Sequence, residues 1–129
     1  MIVVKTVPPR HRIDDLLASL HQLKDNWDED GALAPAKEAI EAAADLVARL
    51  QKSRQPVYHL CPGPLGEVMV DVRIAGRSVE FLFYPQKKWK FVKFYQGKAE
   101  EGKFSFEALP HLLNWLHEKN EHITARATG

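Results

Sequence analysis

The segment DNWDEDGALAP, Asp25–Pro35, nearly matches a calcium-binding loop. When Gly31 is aligned with the glycine of such a loop, oxygen-bearing side chains occupy the first, third and fifth positions: Asn26, Asp28 and Asp30. Calcium also needs a bidentate carboxylate at the twelfth position, where this chain has Lys37. The pattern therefore predicts a corner between two helices, in which Gly31 has a positive φ angle and the acids face water.

The same corner is the first candidate contact surface. Trp27 is expected to anchor it, and an acidic, exposed loop can bind a complementary surface on another protein. A second turn further along the chain supplies lysines at its tip. The residues expected to contact a partner protein are Trp27, Asp28, Glu29, Asp30, Lys87, Lys88 and Lys90.

WDEDGALAP lies between a leucine-rich and an alanine-rich helical segment. In this it resembles small uncharacterised bacterial and phage-associated proteins that share a Trp-Asp-x-x-Gly-Ala corner between two helices. The resemblance covers roughly the first half of the chain, and no catalytic residues accompany it. It implies a bacterial or mobile-element setting, in which small accessory proteins often neutralise or modulate a partner.

A second candidate site is QKKWKFVKFYQGK, Gln86–Lys98, where lysines alternate with aromatic residues. Such a strand could stack bases and contact phosphates of single-stranded nucleic acid. The residues in this hypothesis are Lys88, Trp89, Lys90, Phe91 and Lys93. Strand alternation, however, places Trp89, Phe91 and Lys93 on one face and the other two lysines on the opposite face. The alternative is a purely structural role, in which the aromatic residues enter the core while the lysines protect a sheet edge from pairing with other chains.

A third candidate is the carboxylate pair Asp71 and Glu80. If a hairpin turns at Ala75-Gly76, these side chains lie directly across from each other, opposite the valine and phenylalanine stripe. A pair of this kind can perform acid-base chemistry when burial separates the two pKa values. An enzyme or small-ligand site would also need a pocket that joins them to His59 or another polar group.

Other signals of chemistry are absent from the sequence. His117 and His122 are five residues apart rather than the four that places two zinc ligands on one helix face. His59 and Cys61 are two ligands, too few for a closed zinc site. No phosphate loop, dinucleotide fingerprint or nucleophile elbow occurs. We therefore predict no cofactor, no metal and no catalytic residue, with enzymatic activity left open but disfavoured.

Length and composition predict one soluble domain over 1–129, with about 1–10 and 121–129 as flexible ends. The net charge of +1 gives no general attraction to nucleic acid or anionic membranes. The single cysteine, Cys61, excludes an internal disulfide and favours a reducing compartment. Without a signal peptide or a membrane-length apolar segment, we expect a cytoplasmic protein.

Apolar spacing predicts the elements that position these sites. A first helix carries Ile13, Leu16, Leu17, Leu20, Leu23 and Trp27, and a second begins at Pro35 with Ala36, Ile40, Ala43, Val47 and Leu50 inward. Strands follow at about 57–60, 68–74, 79–84 and 89–95, with turns at 61–66, 75–76 and 85–87. The last helix contains Leu109, Leu112, Leu113 and Leu116. Because Pro110 opposes a continuous helix, we expect a short turn near Ser105 and a fresh start near Pro110.

The predicted fold is α+β: an antiparallel sheet of three or four strands, covered on one face by the N-terminal helical pair and the C-terminal helix. The leading functional hypothesis is a non-enzymatic bacterial or phage protein that binds and modulates a partner protein, as antitoxins, immunity proteins and anti-defence factors do. A nucleic-acid module is the first alternative, and a small-ligand binder or enzyme using Asp71 and Glu80 is the second. An unpaired sheet edge would also allow a homodimer.

Overall fold

The first apolar stripe forms α1, Pro9–Leu20, in the computed structural model, which describes residues 9–118. Ile13 and Leu20 are its buried side chains. The helix is shorter than predicted, because the amides after Leu20 bond to carbonyls three residues back and close the last turn. Trp27 therefore lies in the connecting loop rather than on the helix.

The second helix, α2, spans Lys37–Lys52, two residues later than predicted from Pro35. Ala36 is its extended N-cap residue, and the Ala36 amide donates to the carbonyl of Gly66 at 2.9 Å. That bond holds Ala36 outside the helix. The buried side chains of α2 form one continuous face: Ala39, Ile40, Ala42, Ala43, Leu46, Val47 and Leu50.

An antiparallel sheet of five strands follows in simple sequential order. The strands are β1 His59–Pro62, β2 Val68–Ile74, β3 Arg77–Tyr84, β4 Lys88–Tyr95 and β5 Lys98–Lys103. The α+β class and the antiparallel sheet are as predicted, but the strand count of three or four was too low. β1 also begins two residues late and includes Cys61 and Pro62, which had been assigned to a turn. A proline is tolerated there because β1 is an edge strand.

The missing strand was β5, KAEEGK, whose only apolar side chain is that of Ala99. A strand without alternating apolar residues gives no periodic signal. Its hairpin with β4 turns at Gln96-Gly97, where φ is 51° and 76°. Two consecutive positive φ angles produce the type I′ turn that matches the twist of paired strands. The sequence signal for this hairpin therefore lies in the Gln96-Gly97 turn and not in β5.

Strand register gives the sheet two different faces. Val68 pairs with Phe83, Val70 with Phe81 and Val72 with Val79, and all six side chains are buried. The buried side chains of the three helices join this face in one apolar cluster. We call the opposite side of the sheet the open face; the β2 and β3 residues on it include Met69, Asp71, Glu80 and Leu82.

The chain returns to the core through a 3₁₀ turn, Phe106–Ala108, followed by α3, Leu109–Leu116. Pro110 occupies the first turn of α3, so the predicted break and fresh start are confirmed. The Ser105 side chain makes no capping hydrogen bond. None of the described helices combines the length and apolar character needed to cross a membrane. The predicted flexible ends lie outside the described residues, except for Pro9 and Arg10 at the start of α1.

Candidate functional site

The corner between α1 and α2 is folded by its own side chains. Trp27 is half-buried, and its indole Nε1 donates to the carbonyl of Leu33 at 2.9 Å. Asp25 accepts from the Ala34 amide and Asn26 from the Gly31 amide, both at 2.8 Å. Trp27 therefore anchors the loop, as predicted, while its half-buried side chain stays among the expected contact residues.

Asp28 organises the centre of the same loop. Its Oδ1 accepts hydrogen bonds from the amides of Ala32 and Asp30, each at 2.9 Å. These two bonds, first that from Ala32, lower the pKa of Asp28, so the carboxylate stays charged in mildly acidic solution. Gly31 has the expected positive φ of 85°. Among residues 9–118, no group of three or more metal-binding side chains is arranged to hold an ion.

Glu29 and Asp30 are the acids that the loop does not use. Both are exposed, and neither carboxylate forms a hydrogen bond or an ion pair with any residue the structure describes. Glu29 itself has a positive φ of 64°, a conformation that is uncommon outside glycine. The corner thus presents two free carboxylates beside the partly satisfied Asp28.

A pair of exposed leucines lies next to these acids. The Leu33 amide donates to the carbonyl of Pro64 at 2.9 Å, and Leu33 forms an isolated parallel bridge with Leu65. Leu33 is 50% exposed and Leu65 is 60% exposed, two of the three large apolar side chains described as exposed. We use the name corner surface for the set Asp28, Glu29, Asp30, Leu33 and Leu65.

Leu65 was not identified from the sequence as a contact residue. The sequence shows it only as a single leucine inside GPLG. The two glycines and the proline of this segment keep the leucine out of any periodic apolar stripe. Leu33 stands in a similar position within GALAP. An isolated large apolar residue in a turn has no strand or helix face to join, and pairing of the two turns leaves both side chains at the surface.

The predicted lysines lie at the same end of the sheet as the corner. Gly66, bonded to the Ala36 amide, lies beside Pro85, since an added Cβ would be in ordinary van der Waals contact with the proline ring at 3.4 Å. The Gln86 amide, in the same turn, donates to Glu38 Oε1 at 3.1 Å. Lys87 and Lys88 are therefore exposed at the end that holds the corner surface. Lys90 lies further along β4 and pairs with Glu101 at 3.3 Å.

The five residues of the nucleic-acid hypothesis divide between the two sheet faces, as strand alternation predicted. Trp89 and Phe91 pair with Phe83 and Phe81 on the helix side, and both are half-buried. Trp89 meets the Phe83 ring edge-on, with centroids 5.4 Å apart. Lys88 and Lys90 are on the open face. Lys88 and Lys90 are therefore separated from Trp89 and Phe91 by the sheet.

Acids on β5 also offset the lysines of β4. Lys93 contacts Glu100 at 3.5 Å, and Lys90 contacts Glu101 at 3.3 Å. In the register of β4 and β5, Lys93 lies directly opposite Glu100, and Lys90 lies diagonally across from Glu101. Each exposed pair contributes little stability, yet it reduces the positive field that a phosphate backbone would meet.

Asp71 and Glu80 pair directly across β2 and β3 on the open face, in the predicted register. Asp71 is only 3% exposed, and its Oδ2 lies 2.9 Å from Nη2 of Arg73. Arg77, at the end of the same hairpin, donates to the Trp115 carbonyl on the helix side. His59 is the β1 partner of Asp71, so the row His59, Asp71, Glu80 crosses three strands.

Burial and neighbouring charges set the ionisation of this row. Burial and then the charge of Asp71 raise the pKa of Glu80, while the Asp71 carboxylate is held by Arg73. Oδ1 of Asp71 is buried and has no hydrogen-bond partner among the described groups. Burial, followed by the carboxylates of Glu80 and Asp71, raises the pKa of the Cys61 thiol, which opposes a reactive thiolate.

Comparison with models of protein families, with curated proteins and with solved structures found no match for this chain. The contacts within each candidate site distinguish the three. The corner surface is the one that exposes large apolar side chains next to acids without a described partner. Two of the three β4 lysines, Lys90 and Lys93, are paired with acids, and Asp71 is tied to Arg73.

Replacing Glu80 by glutamine is expected to stabilise the protein at neutral pH by about 0.2–1 kcal/mol, the range of cross-strand pairs. Because the folded-state pKa of Glu80 is raised, its ionisation opposes folding as the pH rises above the ordinary value of 4.5. The gain should fade below that pH, where the wild-type carboxyl is protonated in both states. Urea unfolding at neutral pH and at a pH below 4.5 measures this gain in the free energy of unfolding. Glu107→Gln, at an exposed residue, is the control. A pH-independent gain would contradict the assignment.

Proposed function

We propose that this protein is a non-enzymatic, cytoplasmic bacterial or phage protein that binds and modulates a partner protein through the corner surface. Antitoxins, immunity proteins and anti-defence factors act in this way. The observation that carries the proposal is the exposed pair Leu33 and Leu65, held side by side by backbone pairing. The expected contact residues from the same end of the sheet, Lys87 and Lys88, would lie at the rim.

The leucine pair has the properties of a small interface core. Backbone hydrogen bonds fix both segments, so little conformational entropy is lost when a partner covers them. The Trp27 indole further holds the Leu33 carbonyl. Interfaces commonly combine an apolar centre with a polar rim, and a pre-formed apolar pair supplies such a centre.

The acids beside the leucines indicate what the partner presents. Glu29 and Asp30 have no described partner, and the lowered pKa of Asp28 keeps a third negative charge in place. Complementary charge speeds association and suppresses wrong partners. We expect an apolar patch bordered by lysine or arginine on the partner protein.

The two alternatives have weaker support. Lys88 and Lys90 lie on the sheet face opposite Trp89 and Phe91, and Lys90 and Lys93 are paired with acids. Asp71 is bound to Arg73 and is only 3% exposed, so a substrate could reach Glu80 but not the second carboxylate of the pair. Neither site places a pair of exposed leucines beside acids that lack a described partner, as the corner surface does.

Affinity capture from bacterial lysate tests the proposal. The tagged protein is compared with Glu29→Lys/Asp30→Lys, which reverses the free charges, and with Lys93→Ala/Lys98→Ala, which removes two lysines of segment 86–98 outside the expected contact residues, with and without nuclease. We expect one stoichiometric protein that survives nuclease, is lost from the charge-reversed variant and is retained by the lysine variant. Recovery of nucleic acid that only the lysine variant loses would overturn the proposal and favour the nucleic-acid alternative.

A further inference from the structure

A second surface feature is an open cavity of about 260 Å³ between α2 and the start of β4. We call it the α2–β4 pocket. Its walls combine acidic and aromatic side chains with one lysine at the rim. The side chains that line it include Glu38, Glu41, Asp45, Lys87, Trp89 and Phe106.

Two aromatic rings form the apolar part of the α2–β4 pocket. Trp89 and Phe106 meet edge to face, with ring centroids 5.5 Å apart and planes at 75°. Both are half-buried, so part of each ring remains accessible from the pocket. Phe83 backs them from the core, at 5.4 Å from Trp89. The rings are therefore held rigidly by the hydrophobic core.

Three carboxylates face these rings from α2. Glu38, Glu41 and Asp45 are spaced by three and four residues, which places them along one side of the helix. Glu41 is exposed and has no described ion pair or hydrogen bond, and Glu38 uses one oxygen for the Gln86 amide. Lys87 lines the pocket but forms no ion pair with any of the three. The pocket thus has a negative balance of charge against an aromatic wall.

The protein's own Arg49 shows which chemical group suits this combination. The Arg49 guanidinium carbon is 4.2 Å from the centroid of Phe106, while its Nε donates to Asp45 Oδ1 at 2.9 Å. One pocket ring and one pocket carboxylate therefore already hold a guanidinium by stacking and a charged hydrogen bond. Trp89 and Glu41 offer the same two contacts without an intramolecular cation of their own.

We propose that the α2–β4 pocket binds an arginine side chain of another polypeptide. The planar guanidinium can stack on Trp89 while it donates to Glu41 and to the remaining oxygen of Glu38, which a compact ammonium ion cannot do equally well. A free amino acid would bring its α-carboxylate toward Glu38 and Glu41, the two pocket acids that Arg49 does not neutralise, whereas a residue within a chain has no such carboxylate. The pocket is a site distinct from the corner surface, and its contacts do not depend on that surface.

Nuclear magnetic resonance of the full chain tests the pocket directly. The three tryptophan indole resonances are followed as N-acetyl-arginine N-methylamide is added, with the uncharged citrulline analogue as a matched ligand control. We expect a saturable shift of the Trp89 resonance with the arginine compound only. Trp27 and Trp115 lie outside the pocket and report general effects of the added solute.

Variants with equal charge changes complete the test. Glu38→Gln/Glu41→Gln should weaken binding about tenfold, because charged hydrogen bonds are each lost or reduced. Asp14→Asn/Asp15→Asn removes two exposed charges from α1 and should leave binding unchanged. Free arginine should bind more weakly than the blocked compound.

The opposite results are equally specific. Equal movement of all three indole resonances, an equal response to the citrulline compound, or undiminished binding by Glu38→Gln/Glu41→Gln would overturn the pocket. Tighter binding of free arginine would overturn its assignment to a polypeptide ligand. Because no partner protein is present in this experiment, its failure leaves the proposal for the corner surface intact.

Discussion

Replacing Phe83 by alanine is expected to lower the free energy of unfolding by about 3–5 kcal/mol, the range for large aromatic residues in cores. Phe83 is fully buried and meets the rings of Trp89, Phe104 and Phe106. Its loss removes apolar burial and leaves a cavity among rings that the sheet holds in place. Equilibrium urea unfolding at neutral pH, followed by circular dichroism, measures the change.

Phe94→Ala is the matched control for that measurement. Phe94 lies on the open face of the neighbouring strand, is half-buried and pairs with Ser78 and Ala99 across the sheet. The same change in side chain there should have a clearly smaller effect, since solvent can fill the space that the ring leaves. Equal losses at the two positions would contradict the assignment of the helix-covered face as the core.

The largest functional effect is expected from Leu33→Ser/Leu65→Ser. About half of each side chain is exposed, so a partner that covers both would remove roughly one leucine's full surface from water, about 1.5–3 kcal/mol. We therefore expect the captured partner to bind about 10- to 100-fold more weakly. Calorimetry with the purified partner measures the dissociation constant.

Tyr58→Ser provides the comparison for the leucine variant. Tyr58 is the third exposed large apolar residue, at 54%, and it lies outside the corner, with the Arg73 guanidinium 3.9 Å above its ring. Its replacement should leave partner affinity nearly unchanged. Equal weakening by the two variants would indicate that general surface hydrophobicity, rather than the corner surface, drives the association.

Periodic patterns predicted most of the fold. The stripes of α2 and the alternation of β2 and β3 each mark one buried face, and the turn at Ala75-Gly76 fixed the register that sets Asp71 opposite Glu80. The break at Pro110 was also predictable, because proline cannot continue a helix through a normal backbone bond. These elements are specified locally, and local sequence therefore reveals them.

Features that depend on contacts between distant segments were not predictable in the same way. β5 is polar throughout and forms because the Gln96-Gly97 turn folds it onto β4. Leu65 joins the candidate site only because the β1–β2 turn pairs with the corner. Burial of Asp71 likewise requires its neighbours on β1 and β3 and the Arg73 side chain. No stretch of sequence around each residue contains that information.

The most direct test of partner binding at the corner surface is photo-crosslinking in bacterial cells. A photoreactive phenylalanine derivative replaces Leu65 in one sample and Tyr58 in another, and products are separated with and without nuclease. We predict one discrete protein adduct from position 65, insensitive to nuclease, and none from position 58. Equal adducts from both positions, or an adduct at position 65 that nuclease removes, would contradict the proposal.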